Sequence, residues 1–81
     1  MSNINKFPDQ SIIHCVSEAI SEADRWGRDR HIVIKWHLRT LGVATKYIPQ
    51  SNDGHELVCL ADGRWVCWTP YLGKNSVVIC D

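Results

Sequence analysis

The feature that most restricts how this chain can fold is a change of hydrophobic period part-way along it. Apolar residues first recur every three or four positions, at Ile12, Val16, Ala19, Ile20, Ala23 and Trp26, which is the spacing of one helical face. Beyond Gly42 the period shortens to two. Turn chemistry then returns at regular intervals, SNDG at 51–54, DG at 62–63 and LGKN at 72–75, which predicts strands near 43–49, 55–61, 64–70 and 76–80. A helical first half feeding an antiparallel meander is an α+β fold, with one or two N-terminal helices packed on four strands. Eighty-one residues leave room for one such domain.

The first helix is expected from Asp9 to about Trp26, with Asp9 as an N-cap after Pro8 and Gly27 as a left-handed stop. The stretch RDRHIVIKWHLRTLG is less decisive. Ile32, Ile34, Trp36 and Leu38 alternate as in a strand, while Ile34, Leu38 and Leu41 repeat as in a helix. The ending favours the helix, because LRTLG followed by VATKYI reads as a helix closing on Gly42 and running directly into a strand.

The segment HELVCLADGRWVCWTPY (55–71) reads as a hairpin in which almost every position is apolar on both faces. A two-residue type I′ loop at Asp62-Gly63 would pair Leu60 with Trp65, Cys59 with Val66 and Leu57 with Trp68. One face would then hold Leu57, Cys59, Ala61, Arg64, Val66 and Trp68, and the other Glu56, Val58, Leu60, Trp65, Cys67 and Thr69. That register separates Cys59 from Cys67. An antiparallel sheet with helices on one side should alternate apolar with polar, so the doubled apolarity requires a cover. The helices, the N-terminal tail with Phe7, a second copy of the chain or a partner protein are the candidates, and Trp65, Trp68 and Tyr71, with Tyr47 near them, are the aromatic residues a partner would use.

The composition narrows the functional classes. An apolar fraction of 44% with 22% charged residues is too hydrophobic for a disordered chain. The opening MSNINKFPDQ lacks the basic and apolar regions of a secretory signal, and no run approaches the roughly 18 apolar residues of a membrane span. A cytoplasmic location without membrane association is expected. Cys15, Cys59, Cys67 and Cys80 contain no CxxC, and with the four histidines they show no finger or ribbon spacing, so reduced thiols and no metal or cofactor are expected. Phosphate-binding and dinucleotide-binding glycine motifs are absent from the sequence.

A helix-borne Cys15, then LGV entering a strand, then GHELVCLADGRWV, resembles the core of the transglutaminase-like and papain-like cysteine hydrolases. The resemblance implies Cys15 as nucleophile and His55 as base, with an orienting acid expected near Trp68 and Thr69, where the sequence supplies no carboxylate. A non-catalytic chain is the expectation carried forward, with the minimal hydrolase as an alternative.

Charge is divided unevenly within a formal net of zero. Residues 1–24 carry −3, residues 25–46 carry +5 and the remainder −2. Arg28, Lys35 and Arg39 can lie along one side of a helix, where they would suit phosphates or an acidic protein surface. Neutral overall charge and acidic flanks favour the protein. The expectation is therefore a small protein-binding module, of the kind by which phages and mobile elements inhibit or adapt a larger host complex, using Arg28, Arg30, Lys35, Arg39, Trp65, Trp68 and Tyr71. Nucleic-acid binding through the basic 25–46 segment is the alternative.

Overall fold

The computed structural model describes residues 8–47, 56–69 and 76–80. Helix α1 spans Asp9–Trp26 and helix α2 Arg30–Leu41, followed by strands β1 (Thr45–Tyr47), β2 (Glu56–Leu60), β3 (Trp65–Thr69) and β4 (Ser76–Cys80). The strands form one antiparallel sheet in the order β1-β2-β3-β4. This is the expected α+β meander with two helices.

Each helix is delimited by its own chemistry. Pro8 caps α1 through its carbonyl, which accepts from the backbone N–H of Ser11 and Ile12 at 3.1 and 3.2 Å. Asp9, expected to cap by its side chain, is instead the first helical residue; its carboxylate favours the positive end of the helix and pairs with Arg64. Gly27 turns left-handed at φ 64° and ends the helix. For α2, the Asp29 side chain accepts from the Ile32 N–H at 3.1 Å, and the left-handed Gly42 donates back to Leu38 and Arg39. The helical reading of 30–41 therefore holds, bounded by a side-chain cap at one end and a glycine at the other.

The β2–β3 register differs from expectation by one residue. Leu57 faces Cys67, Val58 faces Val66 and Cys59 faces Trp65, because the turn is a three-residue loop, Ala61-Asp62-Gly63, closed by Leu60 N–H to Arg64 O at 2.8 Å. Two contacts favour the longer loop. Gly63 adopts φ 94°, the left-handed position such a loop demands, and the Asp62 carboxylate accepts from both the backbone N–H and the Nε of Arg64 at 3.1 and 2.9 Å.

The slip re-sorts the side chains. Val58, Leu60, Val66 and Trp68 now share the face packed against the helices, meeting Ile12, Val16, Ile20, Ile34 and Leu38 in the core, with Val77 and Ile79 of β4 at its edge. Leu57, Cys59, Trp65, Cys67 and Val78 take the other face. Cys59 and Cys67 thus lie on the same face, two residue pairs apart along the ladder rather than on opposite faces, and neither is in a disulfide. Both helices cover one face of the sheet, so of the candidate covers for the second face the helices are ruled out. Phe7 lies outside the described residues.

Trp68 is the largest fully buried side chain, and its indole Nε1 donates to Glu56 Oε2 at 2.7 Å. Trp68→Ala should cost about 3–5 kcal/mol of stability through the cavity it opens. Trp65→Ala, on the half-covered face, should cost distinctly less. Urea unfolding of the two variants checks the assignment, and a larger loss for Trp65 would contradict it.

Candidate interaction surface

The surface with the most unexplained exposed chemistry is the outward side of α2. His31, Ile34 and Leu38 point at the sheet and are buried, so the helical period forces Ile32, Lys35, Trp36 and Arg39 outward. Ile32 is 69% exposed and Trp36 65%. These two lie one turn apart and form an apolar ridge, beside which Arg28, Glu22, Asp29 and Val33 line a shallow groove. Trp26, also exposed at the end of α1, borders a second groove that reaches His37.

The cations of the basic segment divide into two groups. Arg30 is structural: its guanidinium takes both oxygens of Asp24 at 2.9 Å and reaches Glu56 at 3.2 Å. The hydrogen bond to Asp24 is the main reason its pKa lies above the ordinary arginine value, against a smaller opposing effect of burial. Arg30 is accordingly a clamp between α1, α2 and β2, with three of its five N–H donors committed inside the fold. Among the described residues, Arg28, Lys35 and Arg39 enter no ion pair, and all three are exposed.

The remaining expected contact residues fall elsewhere. Trp68 is 2% exposed inside the core and can reach no partner without unfolding. Trp65 lies half-buried on the sheet face away from the helices, so it does not join the α2 ridge. Tyr71 lies outside the described residues, as does His55. Ile32 and Trp36, which do form the exposed ridge, were signalled by the helical wheel once 30–41 is read as a helix, since both fall opposite Ile34 and Leu38.

Cys15 sits half-buried on α1, in a groove with His14, Glu18, Trp36, His37 and Leu41. Two imidazole–carboxylate pairs flank it, His14–Glu18 at 2.6 Å and His37–Glu22 at 3.2 Å. Burial, and secondarily the negative charge of Glu18, push the Cys15 thiol above its ordinary pKa. A nucleophilic cysteine needs the opposite shift. The described residues contain no group of three or more histidine, cysteine or acidic side chains placed to hold a metal ion, and no helix among them is long and apolar enough to cross a membrane.

Compared with known proteins, the chain matches no family model, no curated protein and no solved structure at a significant level.

The thiol setting makes a kinetic statement. Cys15 should react with iodoacetamide at pH 7 more slowly than free cysteine, and its rate should climb through a higher pH range, because the thiol form is favoured in the fold. Mass-spectrometric timing of Cys15 alkylation measures this; a rate above that of free cysteine would restore the hydrolase reading.

Proposed function

We propose that this chain is a small non-catalytic protein-binding module that docks on a larger partner through the outward face of α2. The observation that carries the reading is the pairing of Ile32 and Trp36, each about two-thirds exposed, with the unpaired cations Arg28, Lys35 and Arg39. An apolar centre rimmed by charge is the usual anatomy of a recognition surface, and tryptophan and arginine contribute disproportionately to such contacts. A monomer gains nothing by holding a tryptophan and an isoleucine in water one turn apart on a helix whose other side is fully packed.

The size of the chain and its surface chemistry suit an inhibitor or adaptor of the phage or mobile-element type, which acts by covering part of a host complex. In that reading the fold is a rigid carrier for one helix. Arg30 and Arg64 hold the carrier together, and the cations of α2 remain available for the partner.

The test is residue-dependent capture. Host proteins retained by the immobilised wild-type chain should also be retained by Trp65→Ala and lost with Trp36→Ala, since removing a central tryptophan typically costs about 2 kcal/mol or more of binding, roughly thirty-fold in affinity. Retention that is indifferent to Trp36 but lost with Trp65→Ala would move the interface to the opposite side of the molecule and end this proposal.

A further inference from the structure

We propose that the occupant of the α2 face is an acidic amphipathic helix of the partner protein; this rests on the docking face argued above and adds the chemistry of what docks. The ridge supplies the spacing. Ile32 and Trp36 are separated by one helical turn, as are Lys35 and Arg39 beside them, which gives two parallel rows about 6 Å long. A helix laid along α2 presents its own apolar residues at i, i+3, i+4 and i+7 to the first row, and flanking carboxylates one turn apart to the second. Arg28 extends the cationic row past the start of α2, where it borders the same groove as Ile32 and Trp36.

Two other occupants fit less well. A second copy of the chain seated α2 against α2 would bring Arg28, Lys35 and Arg39 of both copies into one interface, where like charges oppose association. The outward face of α1 is also a poor cover for the ridge, since apart from Trp26 at its end and the half-buried Ile13 and Cys15 it offers His14, Ser17, Glu18, Ser21 and Arg25, a mostly polar surface. A nucleic acid would satisfy the three cations, but Glu22 and Asp29 line the groove beside them. A continuous row of phosphates would run against those carboxylates, whereas discrete acids on a helix can avoid them.

The experiment uses the full chain. A library of helix-forming peptides, with leucine fixed at i, i+3, i+4 and i+7 and Asp, Glu, Lys or Ser at the flanking positions, is selected against the immobilised protein. Asp and Glu should be enriched at the flanks. The selected acidic peptide should then bind about tenfold more weakly to the Lys35→Glu/Arg39→Glu variant, as expected for lost charge-pair contacts. A peptide with its flanking acids replaced by lysine should regain affinity for that variant, a rescue that a merely misfolded protein could not give.

Enrichment of lysine or serine, no enrichment, absence of rescue, tighter binding of a dT oligonucleotide, or concentration-dependent dimerisation abolished by Trp36→Ala would each overturn the acidic-helix occupant. If any of these occurs while host-protein capture still depends on Trp36, the docking face stands and only its ligand class is wrong. If capture is indifferent to Trp36 as well, both fall.

Discussion

The arrangement depends first on the carboxylate of Glu56. It sits at the start of β2 on the face covered by the helices, where a charge is costly unless it is paired and hydrogen-bonded. Glu56 Oε2 accepts from Trp68 Nε1 at 2.7 Å and from Arg30 at 3.2 Å, and Arg30 carries the connection on to Asp24 of α1. One acid thereby joins β2, β3, α2 and α1. Its pairing also suits the register. With Glu56 opposite Trp68, the indole at the open end of the hairpin has a polar partner and can be buried almost completely. His31 completes the cluster, its ring 5.5 Å from that of Trp68 and its Nδ1 3.9 Å from Glu56 Oε1. Its Nε2 is buried without a hydrogen-bond partner, a cost the close packing around it must offset.

A second clamp works at the other end of the same hairpin. Arg64, 6% exposed, grips Asp62 within the loop and Asp9 at the start of α1. Helix α1 is therefore tied to the hairpin at both ends, through Asp9 at the loop and through Asp24, by way of Arg30, at the opening. Between the clamps the contacts are apolar. This division explains how one buried arginine, Arg64, and one at the core's edge, Arg30, are held with their charges paired. Arg30 forks onto both oxygens of Asp24, Arg64 holds Oδ2 of Asp62 through Nε and Nη2 and reaches Asp9, and each crosses between elements that would otherwise meet only through side-chain packing.

How much of this was legible in the sequence varies with how local the cause is. Helix α1 could be read from its stripe because Ile12, Val16, Ile20 and Ala23 all face one core. In α2 the stripe is blurred by Ile32 and Trp36 on the wet side, so the cap at Asp29 and the stop at Gly42 had to decide. The hairpin register was misread for a tertiary reason. A DG pair fits a two-residue loop as well as a three-residue one, and the choice is made by Arg64, whose contacts with Asp62 and the distant Asp9 no local pattern reveals. The same holds for Arg30, indistinguishable in sequence from Arg28 until Asp24 and Glu56 are seen beside it.

The residues that made α2 hard to read are the ones that make it interesting. Helix α2 carries apolar groups on both sides, and the sheet and α1 cover only one of them, which is the feature the proposed docking role explains. Had Lys35 and Arg39 been apolar, the ridge would be a generic sticky surface, open to a second copy of the chain. As cations they oppose that pairing, and under the proposed docking role the side chains that keep the exposed ridge hydrated would also favour a partner of opposite sign.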